Sequence, residues 1–347
     1  MFCLMISPLL GEPVVLGYYP NWDEKNPPSS INYDLYTHLC HAFANPDENG
    51  HLKVSGNIPS AELITLAHQQ NVKVLLSLGG YQSTSHFAKV TADVHSRDKF
   101  VSETLSFVKE HGYDGIDLDW EFPNTTQTMQ AYTCLIDSYR TGLDSLENGK
   151  QKVLCAALSG TAWNSKYVDL KAVAAKVDFI NVMTYDGHGG WSQHSGHNAP
   201  LYPSDSDTTF CQKATVDAMM TYMENEGIPP QKLLLGFPLY AREFVSSGLG
   251  KEVDPKKAIY DYVPYKNISS YIEEGWTYHW DESAHVPWLS SCANDRVISY
   301  DDVRSTRDKA NYAKRKHYRG IFFWEITQDL IDKKNVLVKV ARDEFLK

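Results

Sequence analysis

Eight short apolar runs rich in β-branched and aromatic residues recur along the chain, at 14–22, 37–46, 72–81, 113–123, 153–160, 177–186, 233–240 and 320–327. The segments 60–70, 97–111, 127–147, 208–226, 301–317 and 329–346, between or after them, carry the spaced apolar residues of amphipathic helices. Strand and helix alternating eight times is the pattern of a (β/α)8 TIM barrel, an α/β fold in which each strand is covered by the helix that follows it. A chain of 347 residues is long enough for such a barrel with material to spare. The surplus falls between the seventh run and the helix before the eighth. Residues 243–298 mix Gly and Pro turns with short aromatic runs and are expected to form a small α+β insertion between strand 7 and helix 7. Residues 14–347 are assigned to the barrel domain and 1–13 to an N-terminal extension or partial signal segment.

The fourth run, "YDGIDLDWEFP" at 113–123, places three acids at alternate positions of an otherwise apolar strand. Burying one unpaired charge costs several kcal/mol or forces it to take up a proton. Strand alternation sorts the residues onto two faces, with Ile116, Leu118 and Trp120 toward the helices and Asp117, Asp119 and Glu121 toward the barrel axis. At a rise of ~3.3 Å per residue the acids climb the axis, and Glu121 emerges at the C-terminal mouth, where barrel enzymes keep their sites.

A structural role would require basic partners, yet Lys73 is the one Lys or Arg inside the other strand candidates. An Asp-x-Asp pair is also a known way to hold Mg²⁺; the reading adopted is without metal. Acids this close share protons, which raises at least one pKa and leaves a carboxylic acid able to protonate a glycosidic oxygen near neutral pH. Asp119 lies on the same strand as Glu121 and so approaches from the same side. It is better placed to hold a substrate group than to attack the anomeric carbon, a gap that closes if the substrate supplies its own nucleophile, such as a 2-acetamido group.

"DGIDLDWE" resembles the D-G-x-D-x-D-x-E signature of the family 18 glycoside hydrolases, the chitinases. "SLGG" (77–80), "MTYD" (183–186), "GHNAPLY" (196–202), "GFPLYAR" (236–242), "SYDD" (299–302) and "FFWE" (322–325) follow in that family's order, so the resemblance covers nearly the whole chain. It implies hydrolysis of β-1,4-linked N-acetylglucosamine polymers with retention, by endo- or exo-action, through an oxazolinium intermediate. Glu121 is then the acid, Asp119 holds the acetamido group, Asp117 exchanges a proton with Asp119, and the Tyr185 hydroxyl meets the acetamido oxygen. Asp186, Met183 and Trp324 are the implied sugar contacts, with Tyr18, Phe43, Trp191, Tyr240 and Arg242 as rim or subsite residues and Gly80 and Trp120 as further substrate-binding positions. Departures from the usual pattern are Tyr81, His41, Gly187 and Ala241. A chitinase-like lectin that binds without cutting is the competing reading, but such proteins typically lose the acid at the Glu121 position. An endo-β-N-acetylglucosaminidase is a third, which should lack the "GHNAPLY" and "FFWE" patterns.

The formal net charge of −10 disfavours nucleic acid and anionic membranes as partners. A neutral substrate fits that charge, and the resemblance implies chitin or its oligomers as the partner, bound by a monomer, with no cofactor. Six cysteines form no CxxC pair and read mostly as small buried hydrophobes. In "HLCH", His38 and Cys40 face one way and His41 the other, against a metal site there. The apolar opening "MFCLMISPLLGEP" is shorter than the usual ~15–30-residue signal peptide. Secretion is the favoured expectation and an intracellular protein the alternative, with sequons at Asn124 and Asn267 consistent with the first.

Overall fold

The residues of the parallel strands divide cleanly between two apolar layers. In the computed structural model, which describes residues 11–81, 83–146, 152–206, 213–253, 262–293 and 295–347, eight strands close into a barrel. They are β1 (Val14–Pro20), β2 (His38–Pro46), β3 (Lys73–Gly80), β4 (Gly115–Trp120), β5 (Val153–Ser159), β6 (Phe179–Met183), β7 (Leu233–Pro238) and β8 (Gly320–Trp324). Each pairs in parallel with its sequence neighbours, and β8 returns to β1. The (β/α)8 barrel expected from the eight runs is the fold observed.

Strand alternation explains the layers. Val74, Leu76, Ile116, Leu118, Trp120, Leu154, Ala156 and Ile180 pack outward in a large core shared with the helices. Leu16, Tyr18, Cys40, Leu75, Cys155, Phe179, Leu234 and Phe322 fill the inside of the barrel. His38 belongs inside, edge-on to Phe179, while His41 is outside, bonded through Nδ1 to the Tyr113 hydroxyl. The split predicted for "HLCH" therefore holds.

The helices expected from periodicity form at Ala61–Gln69, Val94–His111, Thr126–Ser145, Val216–Asn225, Val303–Arg315 and Val336–Leu346. Their starts are set by caps, which apolar periodicity does not register. Asp93 accepts from the Ser96 N–H, Thr215 from that of Ala218, and Thr125 and Asp302 form capping boxes with Thr128 and Ser305. The last helix starts later than expected because residues 330–335 form a small hairpin and Asp329 accepts the N–H groups of Leu337 and Val338. Short helices at Thr84–Thr91 and Leu170–Lys176 lie outside the periodic segments, and one at Ile268–Glu273 falls within the expected α+β insertion.

Between β7 and the Val303–Arg315 helix lies a five-stranded antiparallel sheet. In spatial order its strands are Tyr262–Pro264, Tyr240–Val245, Arg296–Ser299, Val286–Ser290 and Thr277–Asp281. It encloses its own small core of Ala241, Val263, Ile268, Leu289, Ile298 and Tyr300. Its first strand begins two residues after Pro238, the end of β7. Of the N-terminal extension, residues 1–10 lie outside the described residues. No helix among the described residues is long and apolar enough to cross a membrane. The cysteines are more varied than expected: Cys40 and Cys155 are buried but Cys134 and Cys292 are exposed, all four as free thiols. Cys3 and Cys211 fall outside the described residues.

Candidate active site

Asp117 and Asp119 lie on the inner face of β4, 0% and 4% exposed, and Glu121 follows directly after the strand at the C-terminal mouth, partly buried. The strand needs its neighbour close. At Gly79 of β3, φ is +124° and an added Cβ would sit 1.9 Å from the Asp119 carbonyl oxygen, so the first glycine of "SLGG" is dictated by contact with the acid strand. The Glu121 backbone is held by the start of the Thr84–Thr91 helix. Its N–H donates to Ser83 Oγ at 3.4 Å and its carbonyl accepts from the Thr84 hydroxyl.

The three acids have different surroundings. Asp117 accepts from Ser77 Oγ (2.7 Å) and the Tyr18 hydroxyl (2.9 Å) at Oδ2, and from Cys155 Sγ (3.1 Å) and Asn181 Nδ2 (3.2 Å) at Oδ1. All four donors are neutral, so no ion-pair network neutralises it. Burial raises its pKa, and these hydrogen bonds pull the other way. Asp119 makes no hydrogen bond to Asp117; its Oδ1 is buried with no partner. Burial and then the charges of Glu121 and Asp117 hold its pKa well above the ordinary carboxylate range. Burial, with a further contribution from the Asp186 charge, pushes Glu121 up to about 7. One strand thus presents a fully solvated-by-protein carboxylate, an unpartnered one and a carboxylic acid poised near neutrality.

Around the mouth, Tyr185 packs edge-on against Tyr240 and Phe322, at 6.2 and 6.0 Å between ring centroids. Asp186 adopts φ +60°, and its N–H donates to Asn198 Oδ1 at 3.0 Å. Its Oδ1 accepts from the Tyr240 hydroxyl (2.6 Å) and from Arg242 Nε (3.0 Å) and Nη2 (2.5 Å). The Arg242 guanidinium also stacks over Trp191, which is 61% exposed. Met183 and Trp324, both partly buried, border the inner apolar cluster. Trp324 is stacked on Phe43 at 5.5 Å and 24° and meets the Tyr18 edge at 5.4 Å. At Gly80, φ is +85° and a Cβ would meet the Phe43 ring at 2.5 Å.

One contact implied by the resemblance is not met, because the residue lies where strand alternation places it. Trp120 is fully buried on the helix side of β4, its ring stacked on Phe87 at 5.2 Å, because an even step from Leu118 keeps it on the outer face. It lines no groove. Two departures from the family pattern also sit away from the mouth: His41 is on the outer layer, and Ala241 is buried in the insertion core. Tyr81, by contrast, is 80% exposed beyond the end of β3.

Several residues here escaped the sequence reading. Trp22, 56% exposed, extends the aromatic row by stacking on Phe43 at 6.2 Å. Cys155 and Asn181 are inward positions of β5 and β6, and polar or sulfur-bearing residues on the inner face of a strand were the available signal. Glu325, next to Trp324, is 3% exposed, and burial raises it to about 7 although the Thr327 N–H and hydroxyl donate to it at 2.8 and 2.9 Å.

A closed parallel barrel with a carboxylate-bearing strand opening at its C-terminal mouth, beside a wall of aromatic rings, is a glycoside hydrolase architecture. Comparison with known proteins specifies it: residues 14–329 match the glycosyl hydrolases family 18, and the chain belongs to that family. It is similar to mouse chitotriosidase-1, at 31% identity over 90% of this chain and 72% of that protein, and to chitinase A1 of Niallia circulans, at 29% identity over 91% of this chain. It spans only 56% of the Niallia protein's length. Catalytic domain 2 of the Ostrinia furnacalis Group II chitinase superposes with a TM-score of 0.88 at 26% identity, covering 97% of each chain, and that domain has also been solved in complex with the chitooligosaccharide (NAG)5.

Proposed function

We propose that the chain is a retaining chitinase that cleaves β-1,4-linked N-acetylglucosamine by substrate-assisted catalysis. The observation that carries this reading is the pairing of an acid poised near pH 7, Glu121, with a buried carboxylate oxygen that lacks a partner, on Asp119. Glu121 gives its proton to the glycosidic oxygen as the bond to the anomeric carbon breaks. The substrate's acetamido carbonyl oxygen forms the new bond to that carbon, while Asp119 accepts the acetamido N–H and offsets the positive charge of the oxazolinium. Water then attacks from the side of the departed group, returns a proton to Glu121 and leaves the β-configuration. Asp117 supplies the negative charge beneath Asp119, and proton exchange between the two accompanies rotation of Asp119 toward the sugar.

The Tyr185 hydroxyl donates to the acetamido oxygen, and Trp324 with Phe43 provides an apolar floor on which a pyranose ring lies. Asp186, held by Tyr240 and Arg242, and Met183 complete the pocket. The Ostrinia furnacalis domain's complex with (NAG)5 supports a chitooligosaccharide ligand. We assign an extracellular setting on the sequon asparagines Asn124 and Asn267, both exposed. The test is a time course of products from N-acetylglucosamine oligomers of four to six units. Initial products with the β-anomer in excess support the reading; binding without cleavage makes the protein a lectin, and cleavage confined to a glycoprotein makes it an endo-β-N-acetylglucosaminidase.

A further inference from the structure

Beneath the acids, the barrel interior holds two free thiols. Cys40 on β2 and Cys155 on β5 are both 0% exposed and neither is in a disulfide. Their Sγ atoms and a carboxylate oxygen of Asp117 all lie within 4.8 Å of one another. The Cys155 thiol donates to Asp117 Oδ1 at 3.1 Å. Alongside sits the fully buried Asn181 amide, with Nδ2 3.2 Å from Asp117 Oδ1 and 3.8 Å from Cys155 Sγ and with its Oδ1 lacking any partner.

Metal–ligand bonds of ~2.0–2.3 Å put two ligands of one ion no more than ~4.6 Å apart. Three donors already within 4.8 Å need only small side-chain rotations to share an ion. Two thiolates select a thiophilic metal over Mg²⁺ or Ca²⁺. Charge narrows the choice further. A divalent ion that displaces the two S–H protons leaves the net charge of the buried site unchanged, whereas a monovalent ion would leave it one unit more negative.

We propose that Cys40, Cys155 and Asp117 form an inhibitory binding site for a divalent thiophilic ion of the zinc and cadmium class. Binding forms two metal–sulfur bonds and one metal–oxygen bond and releases two protons to solvent, with no change of oxidation state. The ion takes Asp117 Oδ1 as a ligand and removes the Cys155 hydrogen bond to it, so the unchanged single negative charge is shared with the two thiolates and the Asp117 carboxylate is no longer free to exchange a proton with Asp119. The inhibitory half rests on the function proposed above; the binding half does not.

The probe is Cd²⁺, added to the full chain with Cys3, Cys134, Cys211 and Cys292 replaced by serine so that only the barrel thiols remain. Binding is read by thiolate-to-cadmium charge-transfer absorption and by proton release in weak buffer, and turnover is read on chitooligosaccharides. The expected result is one ion per chain, two protons released, and turnover falling at least tenfold in step with occupancy. Mg²⁺ should do neither, and Cys40→Ala and Cys155→Ser should each abolish both. Absence of the absorption band, or a band that survives both single variants, overturns the site. A band with undiminished turnover overturns the inhibition. A four-serine chain that binds oligomers but cuts none without Cd²⁺ counts against the proposed function and not against the site.

Discussion

Asp117 accepts four hydrogen bonds from neutral donors, while Asp119, two residues further along the same strand, keeps its Oδ1 buried with no partner. The first carboxylate is fixed, and the second is left to find its partner in whatever enters the barrel mouth. Asp119→Asn should therefore fold and bind chitooligosaccharides while losing turnover by about 10²–10³-fold, the usual effect of removing one transition-state contact. Wild-type kcat in that variant would remove the substrate-assisted scheme.

Glu121 gives a prediction with a definite sign. Its folded pKa of about 7 lies above the ordinary 4.5, so the folded chain holds a proton there that the unfolded chain has released. Stability from this group is fully present below pH 4.5 and is lost as the pH rises through about 7. The shift corresponds to up to about 3 kcal/mol. Glu121→Gln should abolish cleavage yet raise Tm at pH 8, with little gain at pH 4, as measured by calorimetry at the two pH values.

The Asp186 charge is part of what raises Glu121. Asp186→Asn should lower the Glu121 pKa, and the alkaline limb of kcat/KM should move to lower pH. An unmoved limb in a correctly folded variant would show that Asp186 exerts no field on the acid.

Gly80→Ala forces a Cβ into the Phe43 ring at a backbone φ of +85°. A cost of about 1–3 kcal/mol in stability is expected from the strained conformation. Displacement of Phe43 from Trp324 should also raise KM for the longer oligomers more than for the shorter ones. Chemical denaturation and a KM series on oligomers of increasing length measure the two effects.

Trp324→Ala removes the proposed floor. Loss of ring stacking is worth roughly 1 kcal/mol beyond area burial, so binding to the inactive Glu121→Gln protein should weaken at least several-fold. Calorimetric titration of the double variant would reveal any such loss, and unchanged affinity would take Trp324 out of the sugar's path.

The barrel was legible in the sequence because a parallel sheet is buried on both faces, and each strand writes itself as an apolar run. The acids of β4 were legible for the converse reason, since charges on a buried strand contradict their surroundings. What supports them was less visible. Asn181 and Cys155 are single residues inside runs that otherwise read as core, and only the parallel register sets Cys155 directly beside Asp117. Trp22 lies in a turn beyond β1, where no periodicity operates. The helix at Thr84–Thr91 buries just Phe87, Val90 and Thr91, too few for a periodic signal. Trp120 shows the limit of motif reading, because its neighbours Asp119 and Glu121 face the barrel axis and mouth while strand geometry turns it away.

The antiparallel sheet begins with the strand Tyr240–Val245, and that strand supplies both Tyr240 and Arg242 to Asp186. The sheet and the acid are therefore mechanically in series. Exchanging this lobe for that of a relative would transplant the grip on Asp186 together with the rest of the sheet, and a graft made beyond Val245 would separate the two. Chain-length preference and pH profile should be inherited as a pair in the first chimaera and independently in the second.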